Sequence, residues 1–210
     1  MKELVIVGAG NAAREVLQIA KDINRTEKTW EIKGFVADSG LDIKALTNGD
    51  YDIIGTIDEW EPNENEVFTC AIADPNGREH VVNKLIKRGA TFIQMIHPKV
   101  HINDYCTIGE GVILYPTASI GPNALVGNFV FSQSVITHDC VVGPFSTISG
   151  GACLTGGTKV GERVFVGSNA TIIPGRTIGD DAFISAGSVV IRNVKPGTKV
   201  FGNPARRIDI

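Results

Sequence analysis

Residues 160–190 read VGERVFVGSNATIIPGRTIGDDAFISAGSVV, with an aliphatic residue at every sixth position: Val160, Val166, Ile172, Ile178, Ile184 and Val190. A period of six matches neither an α-helix, which repeats about every 3.6 residues, nor a flat strand, which alternates about every 2. It matches a solenoid in which each short strand turns a corner before the next begins. With three strands to a coil, residues three hexads apart stack about 4.8 Å from one another, the ordinary strand spacing. Upstream the rhythm continues through Leu154, Ile148, Val142, Ile136 and Val130, then, after a step of four, through Val126, Ile120, Leu114, Ile108 and Ile102. Small residues recur four places after the aliphatic one, as at Ala118, Ala124, Ser146, Ala152, Ala170, Ala182 and Ser188. The aliphatic positions are therefore expected to form internal columns, with the register broken between Val126 and Val130.

Residues 1–96 follow another grammar. LVIVGA (4–9) is rich in β-branched residues, and Asn11 to Ile23 sets Ala12, Val16, Leu17, Ile19, Ala20 and Ile23 at helical spacing. Further strands are expected at EIKGFVAD (31–38), IIG (53–55), VFTCAIA (67–73) and TFIQMI (91–96), with a helix over about 76–88. Strands alternating with helices predict a parallel sheet that gathers its ligands at the carboxyl ends of the strands. The expected organisation is an α/β half-Rossmann domain over 1–96 and a parallel β-helix over 97–210.

The 210 residues carry a net charge of −3, which supplies no basic field for nucleic acid or an anionic membrane. Cys70, Cys106, Cys140 and Cys153 include no Cys-x-x-Cys pair, and no histidine is placed to complete a zinc site, so no metal is expected and the thiols read as reduced. The apolar run near the N-terminus is too short for a signal segment or a membrane span. A cytoplasmic protein is the expectation.

The repeats IGEGVI, VGERVF, VGSNAT and IGDDAF and the ending KPGTKVFGNPARRI resemble the hexapeptide acyltransferases, whose coils form a left-handed parallel β-helix. Joined to GAGNAAREVL, GFVADSG and AIADPNGR, the resemblance narrows to bacterial sugar O- and N-acetyltransferases of the NeuD/PglD type and spans essentially the whole chain. It implies acetyl-CoA as cosubstrate, a sugar or nucleotide-sugar acceptor and a homotrimer.

It also implies roles for particular residues. Acetyl transfer to an amine or alcohol needs a base for the acceptor's proton and donors for the tetrahedral oxyanion. His138 in ITHDC takes the place of that base, and Asp139 that of the acidic residue credited with raising its basicity. Neighbours in a regular strand point to opposite faces, so the pair must lie at a corner or in a loop. Cys140 is a rival nucleophile, but cysteine is more often a packed hydrophobe. Gly156 matches the position whose N–H meets the thioester carbonyl, while Thr147, Gly167, Ser168 and Ala186 match a groove for the rest of CoA, with Arg206 and Arg207 near its phosphates. Gly8, Ala9, Gly10, Asp38 and Gly55 match the acceptor-binding positions. Asp74 and Arg78 resemble a further family element, but the reading preferred for Asp74-Pro75 is a plain helix cap followed by proline. A serine O-acetyltransferase is the nearest enzymatic alternative, but its N-terminal region should be helical. A γ-class carbonic anhydrase would need three ligating histidines across the coils, where only His101 and His138 lie. A trimeric sugar-nucleotide-binding scaffold without catalysis is the third reading.

Overall fold

The computed structural model describes residues 1–38 and 42–209. The chain divides into two compact units, Met1–Pro98 and Lys99–Ile210, a division two residues beyond that expected from the sequence.

In the first unit β1 (Lys2–Val7) lies between β2 (Trp30–Val36) and β4 (Glu66–Cys70), with β3 (Ile53–Gly55) outside β2 and every pairing parallel. Leu4 to Val7 are all buried, because a central parallel strand is covered on both faces and shows no polar alternation. α1 (Asn11–Thr26) buries Ala13, Val16, Leu17, Ile19 and Ala20, one stripe of its 3.6-residue period, leaving Ala12 and Ile23 half-buried at the margins. A single helical turn, α2 (Ile43–Leu46), was not legible; Asp42 caps it by accepting from the Ala45 N–H at 2.9 Å. α3 (Pro75–Lys87) begins on Asp74, whose carboxylate accepts from the Gly77 N–H at 2.6 Å.

Two expected strands are corrected. β4 ends at Cys70, so Ala71 to Ala73 belong to the following loop, and residues 91–96 are not continuous strand: Phe92 makes one bridge to Phe68 and only β5 (Met95–Ile96) is extended. Phe92 and Met95 are buried, and burial makes a run apolar without fixing its conformation. Sequence also gave no hint that Glu66 would be buried. Its carboxylate accepts from Lys33 Nζ at 2.8 Å and from Trp60 Nε1 and the Asn63 N–H at 3.2 Å each. These bonds supply the partners a buried charge requires. Lys33 is held charged, its pKa raised first by the bond to Glu3 and then by that to Glu66.

The second unit is built of short parallel strands in three stacks. The first holds 101–102, 119–120, 135–136, 153–154, 171–172 and 189–190; the second 107–108, 125–126, 141–142, 159–160 and 177–178; the third 113–114, 131–132, 147–148, 165–166, 183–184 and 199–201. Ile120, Ile136, Leu154 and Ile172 form one sealed column, Val126, Val142, Val160 and Ile178 another, and Leu114, Ile148, Val166 and Ile184 most of the third. Each such side chain is worth roughly 1.5–3 kcal/mol of burial.

The register break lies elsewhere than expected. Ser132, not Val130, occupies the third column, and the short step runs from Ser132 to Ile136, so Ile120 stacks on Ile136 and Leu125 on Val141. Val130 sits in the small-residue position, where its aliphatic character imitated a column residue. Ser132 Oγ lies 3.4 Å from Ser134 Oγ, which lets a buried hydroxyl stand where aliphatics stand in other coils.

Ile184→Ala should lower the unfolding free energy by about 2–5 kcal/mol, read from guanidinium unfolding. Burial pushes the Cys70 thiol up to about 11 and raises that of Cys140. Since the thiolate is the reactive form, a disulfide reagent at neutral pH should label the partly exposed Cys106 and Cys153 and spare Cys70 and Cys140 until the protein unfolds, as mass spectrometry would show.

Candidate active site

After strand 135–136 the chain turns its corner through His138 and Asp139. Asp139 has φ +58°, as do the second residues of neighbouring turns: Asn123 at +59° one coil before, Gly157 and Gly175 at +70° in the coils after. This left-handed conformation breaks the strand alternation and swings the carboxylate back beside its neighbour, leaving His138 Nδ1 2.8 Å from Asp139 Oδ2. Both side chains are open to solvent, at 62% and 58% exposure. The backbone is fixed from both sides, with the Asp139 N–H donating to Pro122 O and the Gly157 N–H to His138 O, each at 3.0 Å. The Asp139 carboxyl is held below the usual carboxylate range, first by the bond to His138 and then by one from Asn123 Nδ2 at 3.3 Å. An ionised carboxylate only accepts, so it selects the tautomer with hydrogen on Nδ1 and leaves the lone pair on Nε2.

One coil on, Gly156 lies under the ring. A β-carbon there would be driven into Cε1 and Nε2 of His138, so only glycine admits the imidazole in this pose. The Gly156 N–H has no acceptor among the described residues. Cys140 is turned inward, its Sγ 3.4 Å from Thr155 O, and burial keeps it protonated. It packs the corner.

The other expected CoA positions do not gather around His138. Gly167, Ser168 and Ala186 occupy the corner after the third stack: a β-carbon on Gly167 would stand 2.5 Å from Ala186 N, and Ser168 O accepts from the Gly187 N–H at 2.8 Å. The outward residues of the first stack, Val135, Cys153, Thr171 and Val189, separate that corner from the one bearing His138. Thr147 is 2% exposed in the ladder between Phe131 and Phe165. Arg206 and Arg207 line a cavity of about 320 Å³ with Arg192 and Lys195, and Arg207 Nε is 3.0 Å from Asp209.

In the first unit Gly8 takes φ +99° directly after β1, and Gly10 caps α1 through its backbone alone. Ala9 between them is buried. This turn lies where strand order reverses, between β2 and β4, the usual crevice of an open α/β sheet. Asp38 and Gly55 meet at the ends of β2 and β3, both with packing reasons to be there. Asp38 Oδ1 accepts from the Ile57 N–H at 2.9 Å, and a β-carbon on Gly55 would stand 2.6 Å from the Trp60 ring. Ser39 and Gly40 of the GFVADSG motif lie outside the described residues. Arg78 is buried and donates to Ile72 O at 2.7 Å and Ala73 O at 3.1 Å, stiffening the loop after β4. Burial lowers its pKa to about 10, leaving it charged. The sequence reading assigns Asn123 no role; the short step makes this coil 16 residues long and puts Asn123, not Gly121, over Asp139.

Residues 3–85 match the family described as PglD N-terminal domain, and residues 157–192 match bacterial transferase hexapeptide (six repeats). The chain is 31% identical over 211 aligned residues to GDP-perosamine N-acetyltransferase of Escherichia coli O157:H7, covering 97% of this chain and 95% of the relative. Among solved structures it is similar to PerB of Caulobacter crescentus in complex with CoA and GDP-perosamine, at 26% identity and a TM-score of 0.86 over 100% of this chain and 98% of that one. WeeI of Acinetobacter baumannii AYE superposes at 28% identity and a TM-score of 0.88, over 99% of this chain and 100% of that one. The fold is thus a Rossmann-like sheet followed by a left-handed parallel β-helix. A full-length relative above 30% identity, the two matched regions and the shared fold make the chain a member of the NeuD/PglD-type family of sugar acetyltransferases.

Proposed function

We propose that this sugar acetyltransferase moves acetyl from acetyl-CoA to the amino group of a nucleotide-linked amino sugar by direct attack, with His138 as general base. The observation that carries the reading is the 2.8 Å bond from His138 Nδ1 to Asp139 at an open corner, which leaves Nε2 as the proton acceptor above a glycine. The acceptor nitrogen attacks the thioester carbonyl and passes its proton to Nε2. The Gly156 N–H meets the resulting oxyanion. Collapse of the tetrahedral species breaks the C–S bond, and the imidazolium returns its proton to the departing CoA sulfur. No acyl-enzyme forms, in keeping with the inward Cys140. Gly167, Ser168 and Ala186 then line the path of the pantetheine arm, and the turn Gly8–Gly10 with Asp38 and Gly55 receives the nucleotide of the acceptor.

The nitrogen acceptor is favoured over a hydroxyl by the GDP-perosamine N-acetyltransferase relative and by PerB solved with GDP-perosamine. The parallel sheet of the first unit speaks against a serine acetyltransferase, and the ordered His138–Asp139 pair against a scaffold without catalysis. The protein works as a homotrimer in the cytoplasm. Its four free cysteines suit a reducing compartment, and the exposed Leu125 and Val135 give a subunit contact apolar surface to cover.

With acetyl-CoA and a panel of nucleotide-linked amino sugars, thiol titration should report acceptor-dependent CoA release that falls about 10²–10⁴-fold in His138→Ala without loss of fold. Equal rates for variant and wild type would refute the base assignment. Gly156→Ala should push the ring aside and reduce kcat by about 10²-fold, the cost of misplacing a reacting group by roughly 1 Å.

A further inference from the structure

We infer that Asn123 is a positioning residue for the His138–Asp139 pair, holding the carboxylate so that it keeps the imidazole in its reactive tautomer. The inference rests on His138 being the base. Asn123 and Asp139 occupy equivalent corner positions one coil apart, at φ +59° and +58°. A ladder of backbone bonds aligns them: the Asn123 N–H donates to Asp104 O at 3.3 Å, the Asp139 N–H to Pro122 O at 3.0 Å and the Gly157 N–H to His138 O at 3.0 Å. From this fixed backbone Asn123 Nδ2 reaches Asp139 Oδ1 at 3.3 Å, while Oδ2 takes His138 Nδ1 at 2.8 Å.

Each carboxylate oxygen is therefore engaged by a different donor. Rotation of the carboxylate about its own axis forfeits both bonds. That restraint matters because the Asp139 side chain is 58% exposed, where water competes for its oxygens and nothing packs it in place. The direction of the bond is settled by chemistry, since an ionised carboxylate can only accept and the amide must present its nitrogen. Asn123 itself touches neither ring nitrogen nor any reacting atom, so it acts through Asp139.

Asparagine also suits a left-handed turn on backbone grounds alone. Asn123→Gly separates the two roles, because glycine keeps the turn and deletes the amide. Asn123→Asp keeps the shape and sets a second carboxylate against the first. In the proposed acetyltransferase assay Asn123→Gly should lower kcat about 3–10-fold with both KM values unchanged, the range for an exposed hydrogen bond to a charged group. Asn123→Asp should be worse. In an Asp139→Asn background Asn123→Gly should cost less than about 2-fold more, because the two act as one unit. Imidazole ¹⁵N spectra of the unliganded protein should show the hydrogen leaving Nδ1 in part for Asn123→Gly, a readout independent of acceptor. The inference is overturned if Asn123→Gly retains wild-type kcat and tautomer, or costs the same factor in both backgrounds, while His138→Ala is inactive. Wild-type turnover by His138→Ala would instead remove the reading on which it rests.

Discussion

At most corners of the β-helix one residue takes a positive φ, so that a two-residue strand can end, turn and start again in register. Asn123, Asp139, Arg163, Asn169 and Asp181 carry that conformation, as do Gly157 and Gly175. Non-glycine residues adopt it at a cost of about 1–2 kcal/mol each, lower for Asn and Asp. The coil-to-coil bonds and the sealed columns offset that cost. The same turn that propagates the scaffold puts Asp139 beside His138, so the proposed catalytic pair is a by-product of how the coil bends. The difficulty that adjacent side chains face opposite ways disappears at a corner and only there.

Gly156 sets the other boundary. The imidazole lies against main chain where any side chain would stand, so the pose is admitted by a missing atom below the ring and anchored by a carboxylate at its side. Elsewhere on the prism the same economy of space recurs as ladders of like residues. Phe129 stacks on Phe145 with centroids 5.1 Å apart, Phe165 on Phe183 at 4.9 Å, and Arg163 grips Asp181 with two bonds of 2.8 and 3.1 Å. Stacking of equivalent positions is the rule of the architecture. The His138–Gly156 approach is that rule applied to an imidazole and a hydrogen atom.

Much of this was legible because period and burial are the same physics. Ile120, Ile136, Leu154 and Ile172 recur in sequence because they touch in space, and Leu4 to Val7 form an unbroken apolar run because the sheet is covered on both faces. The failures share a cause as well. Val130 imitated a column residue and Ser132 did not resemble one, so the short step was misplaced by a corner. Glu66 gave no signal because the cation that makes its burial tolerable, Lys33, comes from a strand 33 residues away.

The final coil poses a hazard that its tail answers. A parallel β-helix ends with unpaired amides and carbonyls along its rim, an invitation to another molecule to continue the stack. Here the chain doubles back: Arg206–Arg207 run antiparallel to Lys199–Phe201, the Ala205 N–H reaches Val189 O at 2.8 Å, and the Ile208 N–H reaches Lys199 O at 2.9 Å. The tail therefore caps backbone groups of the first and third stacks that the last coil would otherwise leave bare.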